Sequence, residues 1–168
     1  MTRHIVVMGV SGCGKTTVAR RIAALTGFAF AEADEFHSEA NVSKMHGGVP
    51  LTDDDRWPWL RSLADWMAQR AADGQSTVVA CSALRRSYRE VLSEGPPSVT
   101  FVHLDGNLDT IRQRLSHRRG HYMPASLLDS QVATLEGLQP DEPGIVLDVD
   151  LPPGTLAQLA VQRLDALR

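Results

Sequence analysis

The run Gly9-Val10-Ser11-Gly12-Cys13-Gly14-Lys15-Thr16 constrains this chain more than any other stretch. It fits G-x-x-x-x-G-K-[ST], and its flanks give that pattern a physical meaning. Residues 4–8 are a short apolar, β-branched run of the kind that forms a buried parallel strand. After Lys15, Val18, Ile22 and Leu25 recur at helical spacing, and Gly27 stands where a C-cap glycine belongs. Strand, glycine loop and helix together make an anion cradle. Glycine lets the backbone curl until successive N–H groups point inward, and the helix adds the positive end of its dipole. Gly9, Ser11, Gly12, Cys13, Gly14, Lys15, Thr16 and Thr17 are therefore the expected contacts of a nucleoside triphosphate. Lys15 is expected to reach the β- and γ-phosphates, and the Thr16 hydroxyl to take a place on Mg²⁺.

Such a loop needs a folded body around it, and 168 residues suffice for one domain with a substantial core. A formal charge of −3 offers no general affinity for nucleic acid or an anionic membrane, so an anionic substrate has to be caught by local arginines. No stretch approaches the roughly 20 apolar residues of a membrane span. The first strand begins within a few residues of Met1, and no leader is expected. Two cysteines, Cys13 and Cys81, are too few for a disulfide framework and lack metal-ligand spacing. The cytosol is the expected compartment.

Residues 28–34 read as a second strand that ends in two carboxyls. Glu32 and Asp34 flank Ala33, so on a strand they share one face, at the carboxyl end where ligands gather in open α/β sheets. The polar run 36–51 has weak helical character as far as Met45 and is then broken by Gly47, Gly48 and Pro50. His37 and Lys44 on this run are candidates for a pocket that takes a sugar-like or hydroxy acid. Thr52 or an early aspartate is expected to cap the next helix, with a core stripe of Trp57, Leu60, Ala64, Met67 and Ala71. Arg56 beside that loop suits a carboxylate.

Residues 75–82 read as the third strand, with Cys81 a small packing residue rather than a nucleophile. The following helix carries Arg85, Arg86 and Arg89; Arg85 or Arg89 is a candidate for the anionic substrate. Residues 99–104 form the fourth strand, and Leu108, Ile111 and Leu115 mark the helix after it. That helix runs into Arg112, Arg114, Arg118 and Arg119, then Gly120-His121-Tyr122-Met123-Pro124. Dense arginine followed by glycine and proline suits a lid, about 116–126, that delivers charge to a phosphoryl group. Leu127, Leu128, Val132 and Leu135 form another helix, 145–150 the fifth strand, and Leu156, Leu159, Ala160, Leu164 and Leu167 the stripe of the last helix. The alternation predicts an α/β fold with a doubly wound, five-stranded parallel sheet.

These segments resemble the gluconate kinases (gluconokinases), in the P-loop group that also holds shikimate and nucleoside-monophosphate kinases. Beyond the P-loop, the resemblance rests on Lys44-Met45 and Gly48-x-Pro50-Leu51-Thr52-Asp53-x-Asp55-Arg56-x-Pro58-Trp59-Leu60. It continues through Cys81-Ser82-Ala83-Leu84-Arg85-x-x-Tyr88-Arg89, Arg114-Leu115-x-x-Arg118-x-Gly120-His121-Tyr122-Met123-Pro124, Leu127-Leu128-x-Ser130-Gln131 and Thr134-Leu135-Glu136. Where the family usually has Asp-Gly-Asp, this chain has Glu32-Ala33-Asp34, and Tyr122 stands where phenylalanine is common. The resemblance implies transfer of the ATP γ-phosphoryl to the 6-hydroxyl of D-gluconate, with a homodimer as the assembly. Lys15, Asp34 and Arg118 are the implied catalytic residues, Asp34 as base. Arg114 and Arg118 join the nucleotide contacts. Asp34, His37, Lys44, Arg56, Arg85, Arg89 and His121 form the candidate gluconate set within an acceptor segment of about 35–74 and the lid. Thr16 and Glu32 are the candidate Mg²⁺ ligands. Two other readings fit parts of the pattern. One is a kinase of another small acceptor such as shikimate. The other is a nucleotide-binding regulatory module, against which stands the lack of an Asn-Lys-x-Asp guanine-reading motif.

Overall fold

The apolar runs assemble as the alternation requires. The computed structural model describes residues 1–116 and 126–166. Five strands, β1 His4–Met8, β2 Ala29–Glu32, β3 Thr77–Ala80, β4 Val99–Asp105 and β5 Gly144–Asp148, form one sheet in the order β2-β3-β1-β4-β5. Every pairing is parallel. β1 lies between β3, with His4 opposite Thr77, and β4, with His4 opposite Val99. All of its residues are buried. A central strand covered on both faces reads as a nearly continuous apolar run, here residues 5–8, and its one polar residue, His4, is buried with Nδ1 on the Thr77 hydroxyl at 2.7 Å.

The two faces carry two cores. Ile5, Val7, Val78, Val102 and Leu104 pack with α1 (Lys15–Thr26) and α7 (Pro153–Ala166). Val6, Met8, Val79, Cys81 and Phe101 pack on the other face with α3 (Asp53–Ala72) and α4 (Arg86–Ser93). Burial pushes the Cys81 thiol up to about 12, as expected of an inert packing group. Between these elements lie α2 (Glu39–His46), α5 (Leu108–Ser116) and α6 (Ser126–Thr134). No helix among the described residues is long and apolar enough to cross a membrane.

Several local expectations shift. Val18, Ala19 and Ile22 form the buried stripe of α1, while Leu25 in its last turn is 54 % exposed. Gly27 does cap that helix, in left-handed conformation, its N–H on the Ala23 carbonyl. β2 stops at Glu32, and residues Ala33–Phe36 turn as a 3₁₀ helix, so Asp34 leaves the strand instead of sharing its face with Glu32. The Glu32 carboxylate caps that turn by accepting the Asp34 N–H, a local bond that competes with continued strand. On α3 the buried stripe is Trp59, Leu60, Leu63, Ala64 and Met67, with Trp57 and Ala71 half-buried. Thr52 and Asp55 close a full capping box at its start.

Arg89 is the clearest correction. It stands as a candidate for the substrate, but its side chain is 1 % exposed beneath the β3–α4 loop. Its Nε and Nη2 meet Glu142 at 2.6 and 3.0 Å, Nη1 donates to the Ala83 carbonyl at 2.8 Å, and Nη2 also reaches the Gly137 carbonyl at 3.3 Å. Burial would push Glu142 up, yet Arg89 and the Gln139 N–H hold it below its usual range. Ala83, the residue so held, has φ 45°, where a side chain is strained. Arg89 thus clamps a strained turn rather than facing a ligand. Arg89→Met should cost roughly 3–5 kcal/mol in denaturant unfolding, because it strands a buried carboxylate. The double variant Arg89→Met/Glu142→Leu should recover much of that loss. A single variant of unchanged stability would show that the pair is dispensable.

Candidate active site

The phosphate loop takes the shape its glycines predict. Gly9, Gly12 and Gly14 have φ of 144°, 86° and 92°. A Cβ on Gly9 would lie 2.7 Å from the Leu104 carbonyl oxygen, and one on Gly12 3.1 Å from that of Ile111, so both positions also need close approach. The start of α1 has no capping side chain and no acid in its first turn. The start of α3 has both, with Asp53, Asp54 and Asp55. A helix start of this kind suits an external anion. Lys15 Nζ donates to the Val10 carbonyl at 3.1 Å, holding the ammonium over the loop. Cys13 is buried and Thr17 exposed on the first turn of the helix.

Thr16 Oγ1 donates to Glu32 Oε2, bringing the two candidate metal ligands together. Burial raises the Glu32 carboxyl above its ordinary value, and the Thr16 hydrogen bond works against that rise. Among the described residues no cluster of three or more His, Cys, Asp or Glu could hold a metal by itself. One hydroxyl and one carboxylate beside a phosphate cradle nevertheless fit Mg²⁺, a hard cation that takes its remaining oxygens from phosphate and water.

Next to the loop lies a cavity lined by Asp34, His37, Arg56, Trp59, Ser82 and Tyr88, with Ser130 and Gln131 of α6. Its wall is rigid. The Trp59 indole donates to the Ala33 carbonyl at 2.7 Å and stacks on His37, ring centroids 4.1 Å apart. Asn41 joins His37 Nδ1 at 3.2 Å and donates to the Asp55 carbonyl at 3.0 Å. The amide donates, so Nδ1 accepts and Nε2 carries the proton of the neutral ring; burial lowers the imidazole pKa and favours that form. Arg56 Nη1 donates to the Tyr88 hydroxyl at 3.2 Å, which in turn donates to Asp53 at 2.5 Å. A guanidinium held this way offers a planar fork to a carboxylate. The loop and cavity also share backbone, since the Gly9 N–H donates to the Ser82 carbonyl at 3.2 Å.

Asp34, His37 and Arg56 are thus brought together, while Lys44, Arg85 and Arg89 do not line this cavity. Lys44 is drawn to Asp55 at 2.7 Å, which pulls that carboxyl down to about 2. Arg85 is the exposed N-cap residue of α4. Arg114 donates to the Val149 carbonyl at 2.9 Å. Arg118, Arg119, His121 and the central part of the expected lid lie outside the described residues. The wall adds Trp59, Ser82, Tyr88 and Gln131. The spacing Trp59, Leu63, Met67 is the signal for the first of these. Gln131, a polar residue interrupting the apolar stripe of α6, is the signal for the last.

A family model described as an AAA domain matches residues 5–138. The gluconokinase of Gluconobacter oxydans is 46% identical over 164 residues, covering 98% of this chain and 92% of that protein. Among solved structures, a sugar kinase from Janibacter sp. HTCC2649 superposes with a TM-score of 0.94 at 62% identity, covering 98% of this chain and 95% of that one. A gluconokinase from Sinorhizobium meliloti 1021 gives 0.88 at 44% identity, covering 98% and 92%. With a phosphate loop, a walled cavity one strand over and likeness along nearly its whole length, the chain belongs to the gluconokinase family of P-loop proteins.

Proposed function

We infer that this protein is a gluconokinase that transfers the γ-phosphoryl of ATP to the 6-hydroxyl of D-gluconate, giving 6-phosphogluconate and ADP. Besides the family, one observation carries the reading: the phosphate loop and the cavity meet through the Gly9 N–H on the Ser82 carbonyl, so that two substrates would lie tip to tip. The cavity chemistry fits a polyol acid, with Arg56 for the carboxylate and His37 for a hydroxyl.

In this reading the amides of the loop and Lys15 hold the polyphosphate. Asp34 orients the attacking hydroxyl and takes its proton as the oxygen bonds to phosphorus and the bond to ADP breaks. Thr16 and Glu32 would hold Mg²⁺, which supplies charge neutralisation to the phosphates when bound. Arg118, with Arg114, belongs to the same proposal as the source of positive charge on the transferring group. So do a single kinase domain over 1–168, which rests on chain length, a cytosolic location, which rests on the cysteine content and the lack of a long apolar stretch, and a homodimer, which rests on the family resemblance.

A coupled ADP-release assay should respond to gluconate and not to shikimate or nucleoside monophosphates; turnover of those in place of gluconate would redirect the assignment. Lys15→Ala should abolish that turnover. Asp34→Asn should lower kcat by roughly 10²–10⁴ with nucleotide binding kept, and an unchanged kcat would remove it as base. Arg56→Ala should raise the gluconate KM by about 10- to 100-fold, the worth of a charged hydrogen-bonding partner. Arg118→Ala should cut kcat on the order of 10³–10⁵; an effect on the gluconate KM alone would assign that arginine to the acceptor.

A further inference from the structure

Gln131 touches both halves of the site. The Ser11 N–H, inside the phosphate loop, donates to its Oε1 at 2.7 Å across 120 positions of sequence. The same residue lines the cavity that holds Asp34, His37 and Arg56. It issues from an anchored helix. Leu128 of α6 is buried, and the Glu136 N–H just beyond it donates to the Leu84 carbonyl at 2.7 Å. Glu136 Oε1 also accepts the Arg86 N–H at 2.9 Å. The backbone that carries Gln131 is therefore fixed to the β3–α4 turn, the turn clamped by Arg89.

The chemistry of the side chain makes the bond informative. An N–H donor selects the oxygen of a carboxamide, so the other end of Gln131 is an NH₂, a donor only. Such a donor beside the cavity suits a hydroxyl oxygen of a polyol or an oxygen of the moving phosphoryl group. An aliphatic side chain would strap nothing, and a carboxylate could hold the Ser11 N–H but would offer lone pairs where the amide offers protons.

We propose that Gln131 couples the two substrates: Oε1 fixes the Ser11 end of the phosphate loop while Nε2 donates to the bound acceptor. The proposal rests on the gluconokinase reading and adds to it a positioning and acceptor-binding residue. Its consequence is mutual. Gluconate binds more tightly when the loop is filled, and nucleotide binds more tightly, by the same factor, when gluconate is present.

Two variants separate this from a purely structural strap. Gln131→Glu keeps an oxygen for the Ser11 N–H and the shape of the side chain, but removes the donor. Gln131→Met removes both. Calorimetric titration of gluconate, with and without a non-hydrolysable ATP analogue and Mg²⁺, measures the coupling directly. Thermal melting checks the fold, and steady-state kinetics give the KM values. The wild type should bind gluconate several-fold more tightly with the analogue present. In both variants that enhancement should fall to within twofold of none, and the gluconate KM should rise about tenfold or more, with melting temperatures near wild type. The proposal is overturned if Gln131→Glu keeps the wild-type coupling and gluconate KM, since a strap alone would then explain the contact. It is equally overturned if Gln131→Met keeps both. A wild type inert toward gluconate would instead refute the functional reading, so the two failures are distinguishable.

Discussion

The structure depends on one electrostatic arrangement, a glycine-shaped loop that leads into α1 at a cap position with no side-chain acceptor and a first turn with no acid. Most helix starts are closed by a cap, as α3 is by Thr52 and Asp55. At α1 the cap position is Gly14, in left-handed conformation with no side-chain acceptor. A helix start that lacks its own acceptor is suited to an anion. The glycine conformations and the close approach of Leu104 and Ile111 hold the loop in that open shape.

Around the cradle, the turn after β3 ties the parts together. Ser82 accepts from Gly9, Ala83 is strained and clamped by Arg89, and Leu84 accepts from Glu136 beyond α6. One turn thus touches the phosphate loop, the neighbouring cavity and the segment just after α6. Strain at such a position persists only because its surroundings over-determine it. The buried Arg89–Glu142 pair is part of that over-determination, which accounts for an ionic group placed where a hydrophobic one would be easier to bury.

Much of this was legible before any coordinates. The loop motif, the apolar strand before it and the glycine after its helix identify the cradle and the parallel sheet. Apolar runs at regular spacing identify the remaining strands. Local competition was harder to read. Whether Asp34 continues a strand or enters a 3₁₀ turn depends on the Glu32 carboxylate reaching back to its N–H, and alternation of residue types does not report that bond. Leu25 fits the helical period yet is exposed, because the period gives a face but not where the neighbouring element ends.

The arginines mark the division most sharply. Sequence alone determined that a polyphosphate cradle, a carboxyl-bearing strand end and a set of cations share one small α/β body, because those features follow from local pattern and chain order. Only the tertiary structure decided which cation does what. Arg56 lines the cavity and Arg89 is buried under a turn, although each is the fourth residue of its helix. The reason is that a charge takes its role from its partners. The partners that decide it, Tyr88 for one and Glu142 for the other, are brought by parts of the chain whose distance in sequence carries no record of their meeting.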